Sequence, residues 1–535
     1  MRARPGKTAI YEQFAADGIT YMFGNPGTVE QGFLDEAGRS GMSYLLALHE
    51  GVAVGMADGY ARAAQRPALV QLHTGVGLGN GIGMLYQAKR GGSPLVVLAG
   101  DAGVRYDAMD AQMAADLVAM AQPVTKYATR VLDPASTLRV LRRAVKIAMT
   151  PPRGPVLVVV PADVLDQVTT EPAVPTSLPD TRSTPSPELL ERAARALLAG
   201  RRPLILMGDG VAASGAQAEL EGVATRLGAQ VWGVNSSEVN FDTTHPLYGG
   251  QLGHMFGADS ARVVAEADSV LVVGTYLFPE VFPSLTSPFR EDARIVHIDL
   301  DAYEIAKNFP VDLGMVADPK LALGALADAL DRQGQPGAPP RQWTAPVTSG
   351  AGDGSLLDLF VRTLAERAPA ELAVFDEALT ASGPLARYLP PKEPGRFFQT
   401  RGGSLGVGIP GALGVKLARP ELPVVGFTGD GGSMYTIQAL WTAARYDIGA
   451  KFVICNNHRY RLLDLNIEQY WNGLGIARHT APAAFDLSDP EIRFTDLAAS
   501  LGVPGRRVER KDQVADAVGA MLAHDGPYLI DLDTD

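Results

Sequence analysis

Asp430 sits in a glycine loop, and Asn457, 457 − 430 = 27 positions on, ends an apolar run in the stretch "GDGGSMYTIQALWTAARYDIGAKFVICNN". The run "LPVVGFTGD" reads as a strand ending at Asp430, and Gly431, Gly432 and Ser433 turn the chain into an amphipathic helix predicted over "MYTIQALWTAARY". A helix start behind small residues leaves N–H groups free for an anion such as phosphate. The helix leads to a second strand, "AKFVICNN", so Asp430 and Asn457 are expected at one edge of two neighbouring parallel strands. A carboxylate and an amide oxygen beside a phosphate are hard ligands of the kind Mg²⁺ or Ca²⁺ accepts. The spacing therefore predicts a metal-diphosphate clamp. Each half also has a plain reading, because Gly-Asp-Gly is a common turn and Asn-Asn often closes a strand.

Two further strand ends carry titratable groups. "MSYLLALHEGVAVGMADGYARA" reads as a strand, then His49 and Glu50, then a helix, where an acid either favours the helix N-terminus or does chemistry. His73 in "QLHTGVG" follows another strand, as a satisfied structural group or as a proton carrier. The glycines of "GVGLGNGIG" approach a dinucleotide fingerprint, but the pattern alone is weak, and Asp101, at 101 − 75 = 26 positions, stands beyond another strand.

The elements that must position these residues are apolar runs of four to eight residues separated by helical patterns. They are "ALVQLHT", "SPLVVLAGD" and "GPVLVVVP", then "PLILMGDG", "SVLVVGTY" and "RIVHIDLD", then "AVFDE", "LPVVGFTGD" and "AKFVICNN". Such runs predict buried parallel strands and three doubly wound α/β domains, with ligands beyond the strands' carboxyl ends. Residues 169–188 and 333–354 are rich in Pro, Gly, Ser and Thr and read as linkers, giving pieces of 1–170, 188–332 and 355–535. A length of 535 residues is too great for one core.

Apolar residues make up 46% of the chain, charged residues 20%, and the net charge is −12, which argues against a nucleic-acid surface. The single cysteine, Cys455, excludes an internal disulfide framework and reads as a buried inert thiol. No run is long enough for a membrane span, and the N-terminus lacks the apolar core of a signal peptide. The expected setting is cytoplasmic.

The Gly-Asp-Gly to Asn-Asn stretch resembles the signature of thiamine-diphosphate-dependent enzymes, and "FGNPGTVE" with "HEGVAVGMADGYARA" resembles their pyrimidine-binding domain. "LALHE", "QLHTGVGLGNGIG", "SLGVGIPGALGVKLA" and "ALWTAARY" carry a similarity to benzoylformate decarboxylases along nearly the whole chain. The resemblance implies pyrimidine-binding, middle and diphosphate-binding domains, with thiamine diphosphate and Mg²⁺ (or Ca²⁺) as cofactors. It implies metal binding by the Asp430 and Asn457 side chains and the Arg459 carbonyl, with His458 structural. Gly429, Gly431, Gly432, Ser433, Thr380 and Tyr460 would join Asn457 in holding the cofactor, and Leu405 would be the apolar wedge that keeps it bent. Glu50 would be the acid that activates the aminopyrimidine, His73 the active-site histidine, and Thr28 the hydroxyl for the substrate carboxylate, in place of a serine. A homodimer or homotetramer is implied, with Glu50 and the clamp on different subunits.

The implied activity is non-oxidative decarboxylation of a benzoylformate-like 2-oxo acid to an aldehyde, with carboligation to a second aldehyde. Two departures put the substrate in doubt. Val281 stands where the family's middle domain carries a second histidine, and "HRYRLLDLNIEQYWNGLGIARH" places Leu462 and Asn466 at positions that shape the aromatic pocket. The loop "TYLFPEVFP" does not match the arginine-rich loop of flavin-binding synthases, so flavin is not expected, and the end at "GPYLIDLDTD" argues against an acyl-CoA substrate. The alternatives are an acetolactate synthase-type carboligase without flavin and a cofactor-binding homologue that has lost catalysis.

Overall fold

The computed structural model describes residues 3–253, 255–334 and 352–534. Much of the second linker expected from composition, 333–354, lies outside them. The chain forms two compact units, one of Met1–Pro179, Gly352–Tyr388 and Thr400–Asp535, the other of Asp180–Ala351 and Leu389–Gln399. Three six-stranded parallel sheets organise the chain, as the apolar runs predict.

In the first unit one sheet runs Ser43–Leu46, Tyr21–Gly24, Ala68–Leu72, Leu95–Asp101, Val156–Pro161, Tyr127–Arg130 across its width. A second places five of its six strands, Ala373–Glu377, Val424–Gly429, Lys451–Asn456, Tyr528–Asp533 and Gly505–Val508, in the corresponding order. Tyr21–Gly24 and Ala68–Leu72 lie side by side in the first sheet, and Ala373–Glu377 and Val424–Gly429 in the second, while the connections that follow the two strands of each pair leave in opposite directions. That switch point opens a crevice at the carboxyl ends of those two strands. The residues just beyond Gly24, Leu72, Glu377 and Gly429 therefore stand where a ligand would.

The middle sheet, in the other unit, is ordered Tyr248–Gln251, Gln230–Gly233, Pro203–Met207, Ser269–Val273, Arg294–Asp299, Leu313–Val316. Along Pro203–Met207, Ile205 and Met207 join one buried cluster and Leu204 and Leu206 another. Burial on both faces explains why this strand is an unbroken apolar run and does not alternate.

Residues 170–186 contain no helix or strand, but they are tied down. The Glu171 carboxylate accepts from Arg142 at 2.9 Å and from the Leu138 N–H at 3.0 Å, and the Thr176 N–H donates to Asp17 at 2.7 Å. The helix predicted over residues 434–446 is broken. A short helix spans Asp430–Ser433, turns follow, and the helix resumes at Ala439–Arg445. Tighter bonds one residue short of the α pattern, from Thr436 N–H to Ser433 and from Ala439 N–H to Thr436, interrupt it, while the Thr436 hydroxyl reaches out to the Gly406 carbonyl at 2.6 Å. The stretch after Tyr460 forms the helix Arg461–Leu474.

Within the first unit, the helix Glu50–Ala64 crosses the helix Gly408–Ala418 with backbones touching. A Cβ at Gly414 would run into the Met56 carbonyl, and one at Gly55 would lie 2.8 Å from the Pro410 ring. Gly414→Val should therefore shift the urea midpoint downward, costing about 1–3 kcal/mol, the usual range for overpacking. Gly38→Ala, in the helix Gln31–Ser40 with open space around its α-carbon, should be neutral or slightly stabilising.

Candidate active site

One group of polar side chains gathers at the switch point of the first sheet. The strand Ala68–Leu72 ends and His73 stands as N-cap of the helix Thr74–Gly91. His73 Nδ1 lies 2.8 Å from Glu30 Oε2, and Glu30 is buried. Burial pushes the Glu30 carboxyl above its ordinary range, and the hydrogen bond and charge of His73 oppose that shift. Glu30 fits because position 100 is glycine, where a Cβ would collide with its carboxylate. With Nδ1 committed to Glu30, Nε2 is the ring nitrogen left for a ligand.

Glu50 opens the helix Glu50–Ala64 and is buried. Its Oε1 accepts from the Asn25 amide at 3.3 Å and its Oε2 from the Asn80 amide at 3.0 Å. A Cβ at Gly77 would sit 3.0 Å from Glu50 Oε1 and 3.3 Å from His73 Cβ, so the acid and the histidine flank one glycine. Thr28 is exposed at the start of a turn of 3₁₀ helix, Thr28–Glu30. Glu30 Oε1 and Thr74 Oγ1 are buried without a hydrogen-bond partner in the protein, which leaves polar capacity for a ligand.

The second group lies at the carboxyl edge of the other sheet, one strand over from its switch point. The neighbouring strands Val424–Gly429 and Lys451–Asn456 run parallel with Gly429 opposite Cys455, which brings Asp430 and Asn457 together. Asp430 Oδ2 and Asn457 Oδ1 both accept from the Arg459 N–H, at 3.0 and 3.2 Å. Asp430 Oδ1 takes the Gly431 N–H at 2.8 Å, and the Ser433 hydroxyl donates to the Asp430 carbonyl at 2.7 Å. Burial raises the Asp430 carboxyl, against the pull of the Gly431 and Arg459 N–H groups. The Arg459 carbonyl accepts the Arg461 N–H at 2.9 Å, and a carbonyl oxygen has a second lone pair. Tyr460 packs its ring where a Cβ at Gly431 would be. These oxygens suit a hard divalent cation, and the space beside Gly429, where a Cβ would meet nothing within 4 Å, is open.

His458, between Asn457 and Arg459, has φ +55°, and its imidazole is 3.7 Å from the Asp533 carboxylate. Thr74 (φ +43°) and Leu379 (φ +49°) are likewise left-handed, each beyond a switch-point strand. Such conformations cost about 1–3 kcal/mol apiece and gather where a site demands them. Thr380 is exposed beside Leu379, and Leu405 is half-buried. Leu462 and Asn466 are half-buried one turn apart on their helix, and in the middle unit Val281 is exposed. Cys455 is buried and its thiol is pushed well up by burial, as expected of an inert cysteine. The glycines of 75–83 lie inside the helix Thr74–Gly91, not in a phosphate-binding turn.

Sequence reasoning missed Glu30, Asn25, Asn80 and Glu377. Glu30 stands in "FGNPGTVE" just beyond a strand end, which is a readable signal; Asn80, in mid-helix, has none. Glu377 ends the strand Ala373–Glu377, fully buried. Burial pushes its carboxyl up to about 7, against bonds from the Gly408, Gly406 and Val407 N–H groups and the Thr428 hydroxyl.

Family models match three regions, a thiamine pyrophosphate enzyme N-terminal binding domain over residues 4–120, the central domain over 190–326 and the C-terminal binding domain over 380–532. Benzoylformate decarboxylase of Pseudomonas aeruginosa is 31% identical, covering 98% of both chains. Acetolactate synthase isozyme 2 large subunit of Escherichia coli is 29% identical, covering 99% of this chain and 95% of its own. The solved structure of a thiamine diphosphate-dependent 4-hydroxybenzoylformate decarboxylase from Rhodococcus jostii superimposes with a TM-score of 0.87 at 29% identity, covering 99% of each chain. The chain belongs to the thiamine pyrophosphate enzyme family.

The raised carboxyl of Glu377 sets a pH dependence. A folded-state value of about 7 against an ordinary 4.5 means the folded chain holds this proton more tightly. Stability from this group is full below the ordinary value and is lost as pH rises to about 7, with a slope of up to about 1.4 kcal/mol per pH unit. Urea unfolding of the wild type and Glu377→Gln at pH 5 and pH 7.5 should show the variant gaining roughly 1–3 kcal/mol on the wild type across that interval.

Proposed function

We propose that this protein is a thiamine-diphosphate-dependent decarboxylase that converts a benzoylformate-like 2-oxo acid to an aldehyde, with carboligation to a second aldehyde as a side activity. The observation that carries the reading is the His73–Glu30 pair beside Glu50, a proton-transfer group held by a buried acid. The similarity to benzoylformate decarboxylase along the whole chain supports it.

Asp430, Asn457 and the Arg459 carbonyl would hold Mg²⁺ or Ca²⁺, and Gly429, Gly431, Gly432, Ser433 and Thr380 the diphosphate, with Tyr460 as a wall. Leu405 would prop the cofactor's rings apart. When bound, thiamine diphosphate supplies the carbon nucleophile and electron sink for decarboxylation. Glu50 then exchanges a proton with an aminopyrimidine ring nitrogen, its carboxylate oriented by Asn25 and Asn80. Thr28 offers its hydroxyl to the substrate carboxylate. His73 moves a proton through Nε2 to or from the substrate's reacting carbon, its ring fixed by Glu30.

Apolar Leu48 and Val76 beside the first group, and Met434 and Tyr435 beside the second, are exposed in the single chain, which supports completion of the site in a homodimer or homotetramer. Pieces 1–170, 188–332 and 355–535 would be the pyrimidine-binding, middle and diphosphate-binding domains of a cytoplasmic enzyme.

A second reading, an acetolactate synthase-type carboligase without flavin, is favoured by Val281 and by synthase relatives at comparable identity. Carbon dioxide release from benzoylformate, pyruvate and a branched 2-oxo acid, with the organic product followed, separates the two. Free aldehyde from benzoylformate is expected; a hydroxyketo acid from pyruvate would favour the second. Glu50→Gln should lower turnover by at least about a hundredfold while the cofactor still binds, the range of a lost acid-base group.

A further inference from the structure

Glu377 is a buried acid to which the mechanism above gives no task. Its Oε1 accepts the N–H groups of Gly406 and of Val407, the latter at 3.3 Å. Its Oε2 accepts the Gly408 N–H at 2.6 Å and the Thr428 hydroxyl at 3.2 Å. None of these partners carries a charge, so the carboxylate is held by dipoles alone. Gly406 has φ +94°, and from the other side its carbonyl accepts the Thr436 hydroxyl, in the turn that follows Asp430–Ser433. A Cβ at Gly432 would lie 3.7 Å from the Glu377 carboxyl. Strand end, loop and phosphate turn thus meet on one carboxylate at the switch point of the sheet.

A plainer reading makes Glu377 a remote cap for the helix Gly408–Ala418, whose N-cap, Val407, supplies no side-chain bond. A cap alone accounts poorly for the bonds, because they begin at Gly406, before the helix, and because a local Ser or Asp would satisfy a helix start without burying a charge taken from another strand. The bonded segment begins one residue after Leu405.

We propose that Glu377 is a positioning residue. Its carboxylate sets the backbone of residues 406–408 against the turn 430–433 and so fixes Leu405 toward the cofactor. This rests on the reading of Leu405 and the diphosphate turn given above.

Glu377→Gln keeps the shape and turns an amide NH₂ toward backbone donors. Two readouts test it. Thiamine diphosphate affinity, measured by calorimetric titration with Mg²⁺ present, should weaken about tenfold, and by less than about threefold when Leu405 is already Ala, because residues that act through one another do not add. Amide hydrogen exchange should accelerate in the peptide spanning 404–410, with the rest of the first unit unchanged. Equal weakening in both backgrounds, unchanged affinity, or faster exchange throughout the unit would overturn the proposal while leaving the thiamine reading intact. No binding by the wild type would overturn both. Should Glu377→Gln fail to fold, Thr428→Val removes one donor to the same carboxylate; a smaller weakening that disappears when Leu405 is Ala supports the proposal, and no change contradicts it.

Discussion

Parallel pairing is the constraint on which the site depends. Each sheet of the first unit brings the carboxyl ends of all its strands to one edge, so groups distant in sequence stand together without any local motif. Asp430 and Asn457 meet over one N–H because Gly429 pairs with Cys455. Glu30 and His73 meet because Tyr21–Gly24 pairs with Ala68–Leu72. The same order recurs in both sheets, and both candidate groups stand at a carboxyl edge, the first at its switch point and the second one strand over, one suited to an acid and a base, the other to a metal and an anion.

This edge works against stability. Thr74, Leu379 and His458 hold left-handed backbone there, and Glu30, Glu377 and Asp430 are carboxyl groups whose burial disfavours their charged forms. The cores of the sheets and the close crossing of Glu50–Ala64 on Gly408–Ala418 have to offset those costs. That crossing requires glycine where the backbones touch, and it ties the helix led by Glu50 to the helix that follows Leu405. One helix pair thus joins the core packing to both candidate residues.

Central strands and the polar residues just beyond them were legible in the sequence. Runs such as "LVVLAGD" and "VLVVVP" are buried on both faces, so hydrophobicity marks them, and the turn that follows exposes Asp430 or His73 to inspection. Edge strands such as Tyr248–Gln251 and Gly505–Val508 are short and polar, and only pairing with a neighbour makes them strands. The helix break at residues 434–438 was illegible because it depends on Thr436 finding the Gly406 carbonyl, a contact across 30 residues. Asn80 escaped for the same reason, since its partner, Glu50, lies on another helix.

The measurement that bears most directly on a metal and anion site at Asp430 and Asn457 is a titration of thiamine diphosphate into the purified chain with Mg²⁺ and then with chelator, for the wild type and Asp430→Ala. The account predicts saturable binding that requires the divalent ion and is lost in Asp430→Ala. Binding of equal strength with chelator present, or in Asp430→Ala, would contradict it.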